Sequence, residues 1–189
     1  MLTEQAKELA DVLTRLARHE DVIVAASEAI YNAIEGGGKL MTCGNGGSAA
    51  EAAHLAEEFT GRYFRERRSL PGVCLSIDGS LLTCIGNDYS FADVFSRQIE
   101  GLGREGDVLV AFTSSGNSEN IHRALLAARE KRMVTIALLG KTGGLCKGCA
   151  EFEVIVDSQN TARVQECHMV IVHTICELVE RKVLGIGIE

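Results

Sequence analysis

Two pairs of side chains, one in each half of the chain, have residue types and spacings suited to metal binding or proton transfer. His54 and Glu58 are four residues apart and share one face of an alanine-rich helical segment, although such a pair by itself is typical of a solvated helix surface. Gln165 and His173 are eight residues apart, about 80° around a helix axis, and share a broad face of an otherwise apolar helix. Burying an amide and an imidazole there requires polar partners. A divalent metal bound by all four side chains would supply them, and this N₂O₂ donor set suits zinc or a similar ion.

Two turns rich in glycine, serine and threonine provide a second kind of site. They are residues 44–48 and 113–118, and each follows an apolar run and precedes a helical pattern. The N–H groups of such turns bind anions, because the positive end of the helix dipole lies behind them. Hydroxyl groups without a lysine suit a sugar phosphate better than a nucleoside triphosphate. The alternative is that Ser48 and Ser118 only cap their helices, but two such turns at corresponding places favour a phosphate site.

The first turn also fits a relaxed dinucleotide-binding fingerprint, with Gly44, Gly46 and Ala49 at the required spacing. That motif is followed by an acidic residue after ~20 residues. Here the acidic residue that would end the next strand is Asp78, 34 residues after Gly44. Nicotinamide binding is therefore a poor alternative.

Two further polar segments have open interpretations. Asn87 and Asp88 either form a plain turn and helix cap or reach substrate hydroxyls from a loop near the site. Residues 62–68 contain four arginines, a pattern that suggests nucleic acid. Because Glu66 interrupts the run and the whole chain is acidic, we interpret the segment as a solvated loop or a subunit contact.

Composition excludes several classes of protein. The net charge of −7 disfavours a nucleic-acid partner. No apolar run approaches ~18 residues, so we expect no membrane span, and the N-terminus lacks the pattern of a signal peptide. Seven cysteines cannot all pair, and five of them lie among apolar neighbours, which predicts buried thiols in the cytoplasm: Cys43, Cys74, Cys84, Cys167 and Cys176. The lone Cys-x-x-Cys at residues 146–149 has no second pair, so we interpret it as a mobile loop rather than a zinc site.

Alternating strand and helix signals predict the fold. Short apolar runs lie at residues 40–43, 73–77, 108–112, 134–139 and 154–156. Helical patterns lie at residues 49–59, 91–102, 119–132 and 161–184. This alternation predicts a doubly wound α/β domain with a parallel five-stranded sheet covered on both faces, whose ligands bind beyond the carboxyl ends of the strands.

The chain is expected to form one domain over residues 1–189, with an α/β core at residues 39–185. Residues 1–35 form an N-terminal helical extension of two amphipathic helices, the second capped by Asp21. Because this is more helix than the sheet needs for cover, we predict that it packs partly against another subunit.

The residues taken together resemble the sugar isomerase (SIS) domain family and, within it, the phosphoheptose isomerases. The matching segments are CGNGGSA at 43–49, His54-x-x-x-Glu58, TGRY at 60–63, IGND at 85–88, FSRQ at 95–98, GREGDVL at 103–109, SGNS at 115–118, and ARVQE-x-H at 162–168 followed by His173. These segments cover nearly the whole chain in order, so the resemblance is specific. It implies a flavodoxin-like SIS fold.

The resemblance further implies isomerisation of sedoheptulose 7-phosphate to D-glycero-D-manno-heptose 7-phosphate, the first step of bacterial heptose biosynthesis for lipopolysaccharide or other glycans. It implies a homotetramer with sites at subunit interfaces and one zinc ion per subunit, at His54, Glu58, Gln165 and His173. The substrate-binding positions, to which the turn pattern adds Ser48, are Asn45, Gly46, Gly47, Asn87, Asp88, Thr113, Ser114, Ser115, Ser118 and Gln165. The family turn usually reads Ser-Thr-Ser where this chain has Thr-Ser-Ser at 113–115, so hydroxyls are kept at all three places.

An aldose–ketose shift requires a base that moves a proton between C1 and C2 through a cis-enediolate, and an acid that manages charge on oxygen. Glu58 and His173 are the predicted base and acid, either as metal ligands or after leaving the metal. Two alternatives come from other classes of SIS protein. One is a non-catalytic protein that binds the replication initiator, whose relatives tend to lack both residues; the other is a regulator that senses a sugar phosphate.

Overall fold

The computed structural model describes residues 1–187; residues 188 and 189, the end of the predicted domain, lie outside the described residues. Five parallel strands form one sheet in the order β2-β1-β3-β4-β5. Their bounds are β1 Leu40–Gly44, β2 Gly72–Cys74, β3 Val108–Thr113, β4 Val134–Gly140 and β5 Phe152–Val156. This is the flavodoxin-like order. The predicted fold class, a doubly wound parallel five-stranded sheet with N-terminal helices, is confirmed.

Seven α-helices accompany the sheet in the described part of the chain. They are α1 Leu2–Leu16, α2 Glu20–Glu35, α3 Gly47–Thr60, α4 Gly79–Asp88, α5 Ser96–Leu102, α6 Glu119–Glu130 and α7 Thr161–Val183. Three short 3₁₀ turns lie at Ala17–His19, Phe91–Asp93 and Gly144–Cys146. Within residues 1–187, no helix is both long enough and apolar enough to cross a bilayer.

The sheet is covered on both faces because alternate residues of each strand point to opposite sides. In β3, Val110 and Phe112 pack into the cluster formed with α1, α2, α3 and α7. Leu109 and Ala111 pack into the cluster that contains residues of α4, α5 and α6. The helices that carry His54 and His173, α3 and α7, therefore lie on the same face of the sheet.

The N-terminal helices differ in burial. Ile30 and Ile34 of α2 are buried in the core next to α7. Most of α1 is exposed, and Val12 and Leu16 are its buried residues. The expected cap of α2 is wrong, because the helix begins at Glu20 with His19 at the cap position. Asp21 instead lies in the first turn, where its charge favours the positive end of the helix dipole.

The largest error of the predicted elements lies between β2 and α5. The strand predicted over 73–77 is shorter, Gly72–Cys74. Residues 87 and 88, for which one interpretation was a turn, are instead the end of the helix α4. Asp78 caps α4 by accepting a hydrogen bond from the Leu81 N–H. The predicted helix over 91–102 is interrupted: a 3₁₀ turn at Phe91–Asp93 comes before α5.

Five of the seven cysteines are buried, Cys149 is partly buried and Cys84 is exposed. Cys43, Cys74, Cys167 and Cys176 are buried as expected, whereas Cys84 is exposed on α4. The apolar neighbours of Cys84 in sequence misled the prediction, because a helix turns residues one position apart to different faces.

Candidate active site

The two glycine- and serine-rich turns meet at one edge of the sheet. The first connects β1 to α3 and the second connects β3 to α6. Strands β1 and β3 are neighbours although β2 lies between them in sequence, and the chain order reverses there. Such a switch point leaves a crevice at the carboxyl ends of the strands, where ligands of open α/β sheets bind.

The first turn is shaped by two glycines, one required by its backbone conformation and one by lack of space. Gly46 has φ +56° and ψ −121°, a conformation that L residues rarely adopt. A Cβ at Gly44 would collide with the Ser48 carbonyl group. Asn45 is held in place by a reciprocal pair of side-chain hydrogen bonds with Asn120 of α6, at 2.8 and 2.9 Å. The turn is therefore pre-formed, with its N–H groups at the N-terminus of α3.

The second turn is a network of hydroxyl groups. Thr113 Oγ1 lies 3.1 Å from Ser118 Oγ and 3.4 Å from Ser115 Oγ, and it accepts the Gly116 N–H at 3.2 Å. The Ser114 carbonyl lies so close to Gly140 of β4 that a Cβ at Gly140 would overlap it. Ser118 is the cap residue of α6, without a side-chain cap hydrogen bond. Ser48 lies inside the first turn of α3, after the cap residue Gly46, so the alternative in which Ser48 only caps its helix is wrong.

Three of the four predicted metal ligands come together. The ring nitrogens His54 Nε2 and His173 Nε2 lie 3.2 Å apart, and His54 Nε2 lies 3.3 Å from Glu58 Oε1. One donor atom from each of these side chains lies within 4.8 Å of the others. The helix that carries His54 and Glu58, α3, therefore meets the helix that carries His173, α7, within one chain.

This donor set fits a metal such as zinc. Donors bound tetrahedrally to zinc at about 2.1 Å lie about 3.4 Å apart, close to the distances from His54 Nε2 to His173 Nε2 and to Glu58 Oε1. Two imidazoles and one carboxylate are also a common catalytic zinc set, which leaves a position open for substrate. We name His54, Glu58 and His173 the metal cluster.

The surroundings of Glu58 raise its proton affinity. Burial raises the pKa of Glu58 above its ordinary value, and the Glu57 carboxylate raises it further. The nearby His54 and His173 rings and Arg67 lower it, but by less. A carboxylate with a raised pKa is a better base near neutral pH. Tyr63 stacks against the ring of His173, with ring centroids 5.8 Å apart.

Gln165, the fourth predicted ligand, lies away from the metal cluster of its own chain. Gln165 precedes His173 by eight residues, about 12 Å along α7. Its amide lies against the backbone of Gly47 at the start of α3. In this chain Gln165 is therefore at the first glycine-rich turn, and its parts in substrate binding and in metal binding both stay predictions.

Asn87 and Asp88 are the last two residues of α4 and are exposed, not part of a loop as one interpretation had it. Their side chains bond to each other, with Asn87 Nδ2 donating to Asp88 Oδ1 at 2.8 Å. They are about nine residues, or 14 Å along the helix, from the end of α4 that follows β2. Their predicted contact with substrate stays a prediction.

The sequence did not predict the roles of several polar residues near the site. Arg67, interpreted as part of a solvated loop or subunit contact, has a side chain that is only 2% exposed. His168 is fully buried, and its Nδ1 lies 3.6 Å from Glu51 Oε2 across the α3–α7 contact. Asn120 holds Asn45. Only the tertiary structure brings each of these residues to its partner.

The fold, with two glycine- and serine-rich turns at its switch point, is that of the SIS domain family, whose model matches residues 5–140. The phosphoheptose isomerase of Citrifermentans bemidjiense is 48% identical over 184 residues, covering 97% of this chain and 96% of that protein. Solved phosphoheptose isomerase structures from Neisseria gonorrhoeae (39% identity, TM-score 0.86, 95% and 99% covered) and Francisella tularensis (33%, 0.91, 95% and 96%) also match. The chain belongs to the phosphoheptose isomerase family.

Proposed function

We propose that this chain isomerises sedoheptulose 7-phosphate to D-glycero-D-manno-heptose 7-phosphate through a cis-enediolate. The observation that carries the proposal is the convergence of Glu58 and His173, from α3 and α7, beside a turn built for phosphate. His54 lies seven residues after Gly47, about 10 Å along α3. The substrate carries its phosphate at C7 and reacts at C1 and C2, so its two ends suit two sites separated in this way.

The phosphate-binding turns hold the substrate by one end. The N–H groups at residues 45–47, with the dipole of α3, bind the phosphate, and the hydroxyls of Ser48, Thr113–Ser115 and Ser118 add hydrogen bonds. Gln165 orients the sugar from its place at Gly47. Asn87 and Asp88 bind sugar hydroxyls from the exposed end of α4.

Glu58 is the base and His173 the acid. Glu58 takes the proton from C1 of the ketose and returns it at C2. His173 donates a proton to O2 as charge develops there and takes one back from the C1 hydroxyl as the aldehyde forms, so no net proton is gained. Tyr63, stacked on its ring, holds His173 in one orientation. Zinc bound by His54, Glu58 and His173 would polarise the carbonyl oxygen as a Lewis acid. Because Gln165 lies at Gly47 in its own chain, its part as a fourth ligand would require the Gln165 of another subunit.

The protein works as a homotetramer of single-domain chains, residues 1–189, with one zinc ion per subunit. An apolar groove between α1, α2 and α7 supports this assembly; among the residues that line it are Leu13, Leu16, Val24, Val170 and Leu178. Such a groove is characteristic of a subunit interface. Residues 1–35 contribute most of it.

The reaction supplies heptose for lipopolysaccharide or a related glycan, and the protein works in the cytoplasm without a nucleic-acid or membrane partner. All seven cysteines are free in the structure, which agrees with a reducing compartment. The net charge of −7 argues against a nucleic-acid partner.

The proposal is tested by incubating the purified protein with sedoheptulose 7-phosphate and following the C1 proton of the aldose product by NMR. We expect the aldose to appear, to stop after chelation and to return when zinc is added. A protein that binds the ketose without forming aldose at any metal concentration would instead be a sugar-phosphate-binding SIS protein.

A further inference from the structure

A buried ion pair, distinct from the metal cluster, joins the two helices that carry the reacting groups. Arg67 lies between α3 and β2, and its side chain is 2% exposed. Glu180 lies on α7, its side chain is 1% exposed, and its Oε1 lies 3.5 Å from Arg67 Nε. If Arg67 were removed, Glu180 would keep only the partly exposed Arg65 as a cationic partner, with Nη1 3.5 Å from Glu180 Oε2. Removing one partner of a buried ion pair is strongly destabilising.

Arg67 also binds the last turn of α3. Its Nη2 donates to the carbonyl oxygen of Glu58 at 2.6 Å, and its Nη1 donates to that of Phe59 at 3.0 Å. The last carbonyls of a helix have no partner within the helix, and the negative end of the helix dipole favours a cation there. One guanidinium group therefore fixes the backbone from which the Glu58 side chain projects.

Glu180 fixes the other side of the same arrangement. Its two oxygens accept the backbone N–H groups of Phe64 at 3.1 Å and Arg65 at 2.9 Å. Glu180 follows His173 by seven residues, about two turns along the same face of α7. The segment 61–68 thus contacts the Glu58 backbone through Arg67 and the His173 ring through Tyr63.

We infer that Arg67 is a positioning residue which, through its ion pair with Glu180, sets the position of Glu58 relative to His173. The inference rests on the proposed function, because it assigns these two residues to the reaction. Arg67 acts through the α3 backbone. Its loss would separate Glu58 from His173 and thereby weaken both the metal cluster and proton transfer.

The test compares Arg67→Met with Arg68→Met, the matched control. Arg68 is the next residue, is half exposed, and pairs with Glu35 on the surface. For Arg67→Met we expect kcat to fall and the dissociation constant for zinc to rise, each by about 10–100-fold as for other residues that orient metal ligands, while KM stays within about threefold. Arg67→Lys keeps the charge and should recover part of both losses. Arg68→Met should match the unmodified protein.

If Arg67→Met does not fold, Glu180→Gln is measured in its place. The glutamine oxygen can still accept a backbone N–H, but the side chain lacks the negative charge that pairs with Arg67. Zinc affinity, measured by competition with a chromophoric chelator, needs no substrate and so tests the inference even if the proposed reaction fails. A variant with lowered thermal stability but with kcat and zinc affinity equal to those of Arg68→Met would show a merely structural role. That result would overturn the inference.

Discussion

The contact between Gly47 and Gln165 allows a sharp prediction. A Cβ at residue 47 would lie 3.0 Å from Gln165 Cδ and closer still to Nε2, so in Gly47→Ala the amide must move by about 1 Å. A displacement of that size at a substrate-positioning group costs about 100-fold in kcat/KM. This corresponds to about 2.7 kcal/mol of transition-state stabilisation. Gly47 is the first residue of α3, and alanine favours helix, so folding should not be weakened.

The assay is a double-mutant cycle on kcat/KM for sedoheptulose 7-phosphate, with Gly101→Ala as control. Gly101 lies in α5, where an added Cβ would meet no other atom within 4 Å, so alanine there should change nothing. If Gly47→Ala acts by displacing Gln165, it should cost little more in a Gln165→Ala background. Equal losses in both backgrounds would refute this reasoning and assign the effect to the turn itself.

Three further predictions concern the base, the cysteines and the N-terminus. Glu58→Gln should lower kcat by about 10²–10⁴-fold. In the metal-free protein the raised folded-state pKa of Glu58 stabilises the fold below its ordinary pKa of 4.5, and this stability is lost as the pH rises. The variant lacks this pH dependence, so its urea stability relative to the unmodified protein should be greater at pH 7 than at pH 4. An aromatic disulfide reagent at pH 8 should label the exposed Cys84 first, since burial raises the pKa of Cys146 to about 12 and that of Cys167 to about 11. A fast labelling phase that remains in Cys84→Ser would contradict this. Removing residues 1–20 should change the oligomer seen by light scattering, and an unchanged tetramer would refute the proposed interface.

The sequence predicted the sheet well because its strands are continuous apolar runs. A run such as Val108–Thr113, in which every residue is buried, is typical of a central strand that is covered on both faces. The α4 region failed for the opposite reason. Gly79, Gly86, Asn87 and Asp88 have weak helix propensity, and the helix forms because Ile85 and its neighbours pack against the core.

The site was predictable where spacing along one helix carries the signal. His54 and Glu58 share a face of α3, and the structure brings the predicted His173 of α7 next to them. The location of Gln165 was not predictable, because helix periodicity gives the face of a residue but not its partner on another element. The burial of Arg67 likewise depends on Glu180, which is 113 residues away in sequence.

We propose that α3 and α7 of one chain build a single metal-binding centre at which the isomerisation occurs. This is tested by anomalous diffraction at the zinc absorption edge, from crystals of the zinc-loaded protein. We expect one zinc peak per subunit, bound by His54, Glu58 and His173. A zinc ion bound instead at Cys146 and Cys149, with no peak between those three side chains, would contradict it.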